Sequence, residues 1–349
     1  LAKLGWGQTA PNPMVGAVVV RGGVVVGEGY HARYGGDHAE VAALRAAGPM
    51  ARGASVYVTL EPCNHHGKTP PCADALIAAD VRRVIAATPD PNPTAGGGAE
   101  RLRASGIDVA VGIEERAARE LNAPFFHAFR SDRPWITLKL ALSIDGAITD
   151  ATRTAGWLSG PEARREVHRL RAGSDAVAVG SGTALADDPL LTVRDVPPPR
   201  VPPRRVVFDS TLRLPLSSKL VQTARDVPTT VAATRGADAI AADRAAALEA
   251  AGVRVLVAPS LAAGLRALFA EGVRSMLVEG GAGLAGSLLA EEAVDRLVIF
   301  QAPVVLGGGS LNAFADAPGR GQPPARRLEV IERATFGDDL MTVYGLSPA

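Results

Sequence analysis

One regularity constrains this chain more than any other. Short apolar strands alternate with helix-like segments over residues 16–112, the alternation breaks, and it resumes at Trp135. GAVVV (16–20) and GVVVGEGY (23–30) read as a hairpin turned at Arg21-Gly22-Gly23. DHAEVAALRAAG (37–48) places apolar residues at helical spacing, with Asp37 as the expected N-cap and Gly48 as the stop. The strand SVYVTLEP, the helix CADALIAADV after Pro70-Pro71, the strand RRVIAAT, the helix AERLRASG and the strand IDVAVG follow in turn. A hairpin followed by strand–helix alternation predicts a mixed sheet with helices on both faces.

The break falls on NAPFFHAFRSDRP (122–134). It predicts a first domain over 1–124, a connector over 125–133 and a second domain over 134–349, which suits a length of 349 residues. WITLKLALSIDGAIT, DAVAVGSG, RRVVFDS, TTVAAT, VRVLVA, SMLVEGG and DRLVIFQAPVVLGG supply the strands of a second α/β domain, with helix-like segments between them. VPPPRVPPRR (196–205) reads as a further boundary or as a surface loop. The strand resuming at Val206 favours the loop. No repeat of 20–50 residues is visible.

Composition removes several function classes. With 47% hydrophobic and 21% charged residues, the chain can bury sizeable cores as a soluble protein. A net charge of +1 and few aromatics argue against a nucleic-acid or membrane-surface partner. The runs MVGAVVV (14–20) and RLVIFQAPVVLG (296–307) are too short to span a bilayer, and no secretory leader is expected. The chain starts at Leu1 rather than Met, so its start is expected to be trimmed. Two cysteines in a chain this long make no disulfide framework, which points to a reducing, cytoplasmic setting.

Both cysteines lie in TLEPCNHHGKTPPCADAL (59–76), nine positions apart. Zinc-dependent deaminases need a His/Cys/Cys ligand set and a glutamate that shuttles protons, with the signature H-x-E followed by P-C-x-x-C. His38-Ala39-Glu40 opens a helix, Pro62-Cys63 ends a strand, and Cys72 opens the next helix, where free N–H groups favour a thiolate. The spacing departs from that signature, with eight residues between the cysteines instead of two. NHHGKTPP must loop out, and its glycine and prolines suit a loop. The competing reading makes Cys63 and Cys72 buried small hydrophobes. His65 and His66 are alternatives to His38 as the nitrogen ligand, or candidates for shaping the pocket.

In the second domain, Gly281-Ala282-Gly283-Leu284-Ala285-Gly286-Ser287 follows a strand and opens a helix. Its G-x-G-x-x-G can hold a pyrophosphate on bare amides, or it can be a tight turn with close helix packing. A Rossmann site also wants an acidic residue at the end of the next strand, and RLVIFQAP offers Gln301 and Pro303 there. Asp187-Asp188 before Pro189 reads equally as a turn, and Lys139 as a solvated strand lysine.

These motifs together carry a resemblance. PNPMVGAVVV, HAEVAAL, VTLEPCNHHGKTPPCADALI and DPNP (90–93) resemble the deaminase domain of the bifunctional riboflavin-biosynthesis deaminase/reductases. LKLALSIDGAIT, GSGTALADDPLLTVR, VVFDS and LVEGGAGLAGSLL resemble the reductase domain of the same family, in the same order. The resemblance implies an N-terminal cytidine-deaminase-like domain and a C-terminal dihydrofolate-reductase-like domain. It implies one zinc on His38, Cys63 and Cys72, Glu40 as the catalytic proton shuttle, and Asn12 as a pyrimidine contact. It implies NADPH on Ala141, Trp157, Thr183, Asp187, Ser210 and residues 281–287, and substrate on Ala155, Arg171, Leu191, Arg194 and Glu279. Two arginines suit a phosphate chemically, and Lys139 is a further candidate for the cationic surroundings of the sugar. The family usually carries a serine and a polar residue just before Trp157. Ala155-Gly156 stands there instead, so only a backbone contact is expected at Ala155. The implied partners are a small pyrimidine ribose-phosphate and further copies of the chain. A nucleic-acid base deaminase with an accessory domain leaves the glycine loop without a role. A reductase with a relic deaminase domain leaves the intact His38, Glu40, Cys63 and Cys72 without one.

Overall fold

A computed structural model of the chain describes residues 1–153, 156–233, 239–314 and 328–346. They form two compact units, Leu1–Ser131 with Pro199–Val201, and the remainder from Asp132.

The first unit is built on a five-stranded sheet of β1 (Gly16–Arg21), β2 (Val24–Tyr30), β3 (Ser55–Val58), β4 (Arg83–Ala86) and β5 (Asp108–Val111), in the order β2-β1-β3-β4-β5. β2, β1 and β3 are antiparallel neighbours, and β3, β4 and β5 are parallel ones. Helices α1 (Ala39–Ala47), α2 (Cys72–Ala78) and α3 (Gly98–Ala104) supply Ala39, Ala43, Leu76 and Leu102 to one core with Ala17, Val19, Val56, Val58, Val84 and Ala86. The i, i+2 spacing of those strand residues puts them on one face of the sheet.

Gly29 brings α1 onto β2. A Cβ there would lie 2.4 Å from Ala43 N and 2.5 Å from Ala39 O. Helix α1 is capped by His38, not by Asp37 as the sequence suggests. His38 holds the extended conformation that precedes a helix, while the Asp37 carboxylate pairs with Arg45 at 2.7 Å. Two short helices follow, α4 (Glu115–Leu121) and α5 (Ala123–His127). Phe125–His127, read from sequence as connector, lie in α5, where Phe126 is buried edge-to-face with Phe125.

The second unit carries a nine-stranded sheet. Its strands are β6 (Trp135–Leu142), β8 (Ala176–Gly180), β9 (Arg204–Phe208), β10 (Thr229–Ala233), β11 (Arg254–Val257), β12 (Ser275–Glu279), β13 (Arg296–Gln301), β15 (Glu329–Phe336) and β16 (Asp339–Gly345). The order is β11-β10-β9-β8-β12-β6-β13-β16-β15, parallel up to β13 and antiparallel from β13 through β16 to β15. A small sheet pairs β7 (Ala147–Thr149) with β14 (Leu311–Asn312).

Helices α6 (Pro161–Ala172), α7 (Ser181–Asp187), α8 (Lys219–Gln222), α9 (Ala239–Ala250), α10 (Leu261–Ala270) and α11 (Ala282–Ala290) cover both faces. Leu265 and Leu268 of α10 and Ala285 and Leu288 of α11 pack with Ala176 and Ala178 of β8. Ala184 of α7, Leu220 of α8 and Leu248 of α9 pack with Val177 and Val179 on its other face. Strand β6 buries Ile136, Leu138, Leu140 and Leu142 and leaves Thr137, Lys139 and Ala141 partly exposed. A central parallel strand normally buries both faces, so this alternation marks where the site lies. No helix among the described residues is long and apolar enough to cross a membrane.

Candidate active sites

The first site forms where three element ends meet. His38 stands at the N-cap of α1, Cys72 is the first residue of α2, and Cys63 lies in the segment leaving β3. Their donor atoms all fall within 4.8 Å of one another, and both thiols are free and buried. His38 Nδ1 is 3.1 Å from Cys72 Sγ and 3.6 Å from Cys63 Sγ, and Cys72 N donates to Cys63 Sγ at 3.3 Å.

Tetrahedral zinc with bonds of about 2.0–2.3 Å has ligand–ligand edges of roughly 3.5–3.8 Å. The cluster therefore fits zinc in donor type and in scale. Thiols this close share a proton. Cys63, accepting from Cys72, is pulled down to about 4, and the same bond pushes Cys72 up. His38 is raised by its bond to Cys63. His65 and His66 stand outside the cluster, and His65 Nδ1 is buried without a partner among the described residues.

Glu40 lies in the first turn of α1, 3% exposed, and burial pushes it up to about 7. A carboxyl near neutrality can both take up and release a proton. Asn12 is turned toward the same place by a residue the sequence did not single out. His31 Nδ1 meets the Asp37 carbonyl at 2.9 Å and must donate to it, so its Nε2 accepts from Asn12 Nδ2 at 3.2 Å. His31 also packs edge-to-face on His38, with centroids 5.2 Å apart. Burial lowers the His31 pKa, in keeping with a neutral ring. It sits in GEGYHARYG, which carries no spacing signal.

The Cys63 segment is tied to α3. Glu61 accepts from Ala99 N at 2.9 Å and from Asp90 N at 3.3 Å, which anchors the residue before Pro62 at the start of that helix.

The second site is a cleft of about 1070 Å³ in the second unit. Of the expected cofactor contacts, Ala141, Trp157, Thr183, Asp187, Ser210, Gly281, Ala282, Gly283, Leu284 and Ser287 line it. Ala285 and Gly286 do not. On α11 they turn toward the sheet, and Ala285 is fully buried in the core with Leu288. Gly281 is the N-cap of α11, and a Cβ on it would lie 3.1 Å from Thr183 Oγ1. The glycine loop follows β12 between β8 and β6, an order unlike the Rossmann sheet.

Arg171, Leu191, Arg194 and Glu279 line the same cleft, and Ala155 lies outside the described residues. Arg171, 6% exposed, grips Glu279 through Nε at 2.5 Å and Nη2 at 2.9 Å, and donates Nη1 to the Thr192 carbonyl at 2.8 Å. Most of its fork is thus committed inside the protein, and Arg194 is the more available cation. Lys139 also lines the cleft, and burial lowers its pKa despite Glu279 nearby.

The 187–195 loop holds Asp188, Leu191 and Asp195 in the left-handed region (φ 39°, 53° and 60°). Such strain persists only where neighbours over-determine it. Arg171 on the Thr192 carbonyl, His168 Nδ1 accepting from Arg194 N at 3.1 Å, and Arg205 Nη1 on the Leu190 carbonyl at 3.3 Å do so here.

Comparison with known proteins connects the two sites. Residues 1–88 match the cytidine and deoxycytidylate deaminase zinc-binding region, and residues 134–342 match the RibD C-terminal domain. The chain is 45% identical to the riboflavin biosynthesis protein RibD of Aquifex aeolicus, covering 99% of this chain and 95% of that one. It is 43% identical to the Escherichia coli protein of the same name, with 91% of each covered. Among solved structures, RibD of Acinetobacter baumannii superposes with a TM-score of 0.83 at 36% identity, over 99% of this chain and 95% of that one. The Thermotoga maritima diaminohydroxyphosphoribosylaminopyrimidine deaminase/5-amino-6-(5-phosphoribosylamino)uracil reductase gives 0.84 at 32%, with the same coverage. With a thiol–imidazole cluster in one unit and a cofactor-sized cleft in the other, the chain belongs to the RibD family, riboflavin-biosynthesis enzymes that join a zinc-dependent deaminase to an NADPH-dependent reductase.

Proposed function

We propose that the first site hydrolytically deaminates 2,5-diamino-6-(5-phosphoribosylamino)pyrimidin-4-one. The second site then reduces the ribosyl group to ribityl, giving 5-amino-6-(5-phosphoribitylamino)uracil. The observation that carries this reading is the His38/Cys63/Cys72 cluster with the buried carboxyl of Glu40 hydrogen-bonded to Cys72 beside it. The activities named for the Thermotoga relative support the choice of substrate.

In the first step His38 Nδ1 and the two thiolates are the zinc ligands. Zinc bound there acidifies a water molecule and so supplies the nucleophile at neutral pH. Glu40 accepts in turn the two protons that the attacking water gives up, the first on attack and the second from the hydroxyl of the adduct. It delivers protons to the ring nitrogen and then to the departing amino group, so a C–O bond replaces the C–N bond and ammonia leaves. Asn12, its amide oriented by His31, contacts the pyrimidine.

In the second step the N-terminus of α11 at Gly281 receives the cofactor diphosphate on free N–H groups. NADPH supplies the hydride. Arg194 binds the substrate phosphate, with the remaining N–H groups of Arg171 behind it. Lys139, whose pKa is lowered by burial, places an ammonium beside the reacting sugar, and Glu279 holds Arg171 in position. The partners are then small molecules. A reducing cytoplasm suits a site that needs Cys63 and Cys72 as thiols.

The test is Glu40→Gln. Ammonia release should stop, while zinc stays bound and the deaminated intermediate is still reduced. Ammonia release at the wild-type rate would sink the assignment of Glu40.

A further inference from the structure

Helix α6 forms one wall of the second cleft. Arg164, Val167, His168 and Arg171 all line it, at the i, i+3, i+4, i+7 spacing of a single helix face. Arg171 commits its donors inside the protein, to Glu279 and to the Thr192 carbonyl. Arg194, on the 187–195 loop, gives Nη1 to Thr192 Oγ1 at 2.9 Å. Thr192 therefore braces both guanidinium groups, one through its carbonyl and the other through its hydroxyl.

His168 joins the same group. Its Nδ1 accepts from Arg194 N at 3.1 Å, so the neutral ring carries its proton on Nε2. Only 7% of the residue is exposed, yet Nε2 has no partner among the described residues. A buried donor left without an acceptor is destabilising, and Nε2 is not sealed off from the cleft that His168 lines. The missing acceptor belongs to whatever occupies the cleft beside Arg194.

The surroundings suit an anion with several oxygens. A guanidinium grips two oxygens of a phosphate with parallel N–H donors, and the third strong acceptor oxygen needs a donor of its own. His168 supplies one without adding positive charge. Burial, and then Arg171 and Arg194, lower its pKa. A cationic ring would also put a proton on the nitrogen that faces Arg194 N. Glu279 and Asp195, the carboxylates near it, oppose this lowering without reversing it.

We infer that His168 donates Nε2–H to the phosphate of the reductase substrate, beside Arg194, while its Nδ1 holds the Arg194 main chain in place. This rests on the reading of the cleft as the site where the sugar phosphate is reduced. It adds to that site a binding residue outside the motifs visible in the sequence.

NADPH oxidation by the full zinc-loaded chain tests it, on 5-amino-6-(5-phosphoribosylamino)uracil and on the same compound without its phosphate. His168→Asn keeps an acceptor for Arg194 N in the place of Nδ1 and removes the distal donor. His168→Gln carries an N–H to the place of Nε2 instead. The ratio of kcat/KM between the two compounds measures what the phosphate contributes. It should fall on the order of 10- to 100-fold in His168→Asn, the loss of one hydrogen bond to a charged group, and His168→Gln should recover most of it. Calorimetric titration with NADPH, expected to give the same affinity in all three proteins, is the folding control. An unchanged ratio in His168→Asn would overturn the assignment, whether or not both rates fall together. A His168→Gln protein no better than His168→Asn would overturn it too. A wild type that oxidises no NADPH on the deaminated compound would instead overturn the reading of the cleft, and this assignment with it.

Discussion

Adding a single methyl group at Gly98 tests how the zinc ligands are held in place. A Cβ on Gly98 would lie 1.7 Å from the Pro62 carbonyl oxygen and 2.8 Å from its carbon. Side-chain carbons do not approach carbonyl oxygens more closely than 3.0 Å, so α3 and the Pro62 segment must separate by about 1.3 Å. Neither side yields easily. Glu61 binds Ala99 N at the start of α3 and Asp90 N, and Asn64 N donates to the Ala95 carbonyl at 2.9 Å. The displacement falls on the residue before Cys63, and a metal site tolerates only about 0.2 Å in its ligand distances. Gly98→Ala should therefore weaken zinc binding roughly 10- to 100-fold, the range seen when support around a metal site is lost. Zinc retained after dialysis against a chelator and ammonia release from the pyrimidine substrate measure the effect. NADPH oxidation on the deaminated intermediate is the internal control, because Gly98 belongs to the first unit. A Gly98→Ala protein with full zinc and wild-type deamination would refute the view that this close approach positions Cys63.

Three further outcomes are expected. Arg205 is fully buried, with Nη1 on Thr223 Oγ1 and the Leu190 carbonyl and Nη2 on the carbonyls of Leu220, Thr223 and Val227. Arg205→Met strands these acceptors and should cost about 3–5 kcal/mol in denaturant unfolding of the reductase unit; a loss below about 1 kcal/mol contradicts this. His168 Nδ1 accepts from Arg194 N, and its pKa is lowered by burial and by Arg171 and Arg194. The neutral ring therefore contributes stability that is full above about 6.5 and declines as pH falls below it. His168→Asn should flatten that part of the melting-temperature profile, and an unaltered slope counts against the role. Cys72→Ser removes one of three ligands, so zinc retention should collapse while reduction of the deaminated intermediate survives; tight zinc binding by the variant rejects the ligand set.

What could be read in the sequence was whatever is written locally. His38 and Cys72 are legible because each stands at the start of a helix that its own neighbours define, whereas Cys63, read from sequence as ending a strand, lies in the segment five residues beyond the end of β3 at Val58. Strand β6 is legible because WITLKLAL alternates, but its lysine reads equally as a solvated one until the fold places it on the cleft. Contacts across long separations are not written this way. Arg171 and Glu279 are 108 residues apart, and nothing around either shows that the arginine is committed to the glutamate. His31 gains its role only from the fold, through a carbonyl six residues away and an amide nineteen residues back. The β15–β16 hairpin escaped notice because β15 is largely exposed and charged, with Ile331, Ala334 and Phe336 only partly buried. The motif at 281–287 shows its glycines but not its helical phase, which sends Ala285 into the core and Ser287 to the cleft.

The most direct measurement follows ammonia and NADPH together on the pyrimidine phosphate, with the wild-type chain and with Glu40→Gln. In the wild type, ammonia should appear first and NADPH oxidation should follow mole for mole. In Glu40→Gln neither should occur on the aminated substrate, and NADPH oxidation should return when the deaminated intermediate is supplied. NADPH oxidation by Glu40→Gln on the aminated substrate, with no ammonia released, would contradict the order of the two steps and the division of labour between the two sites.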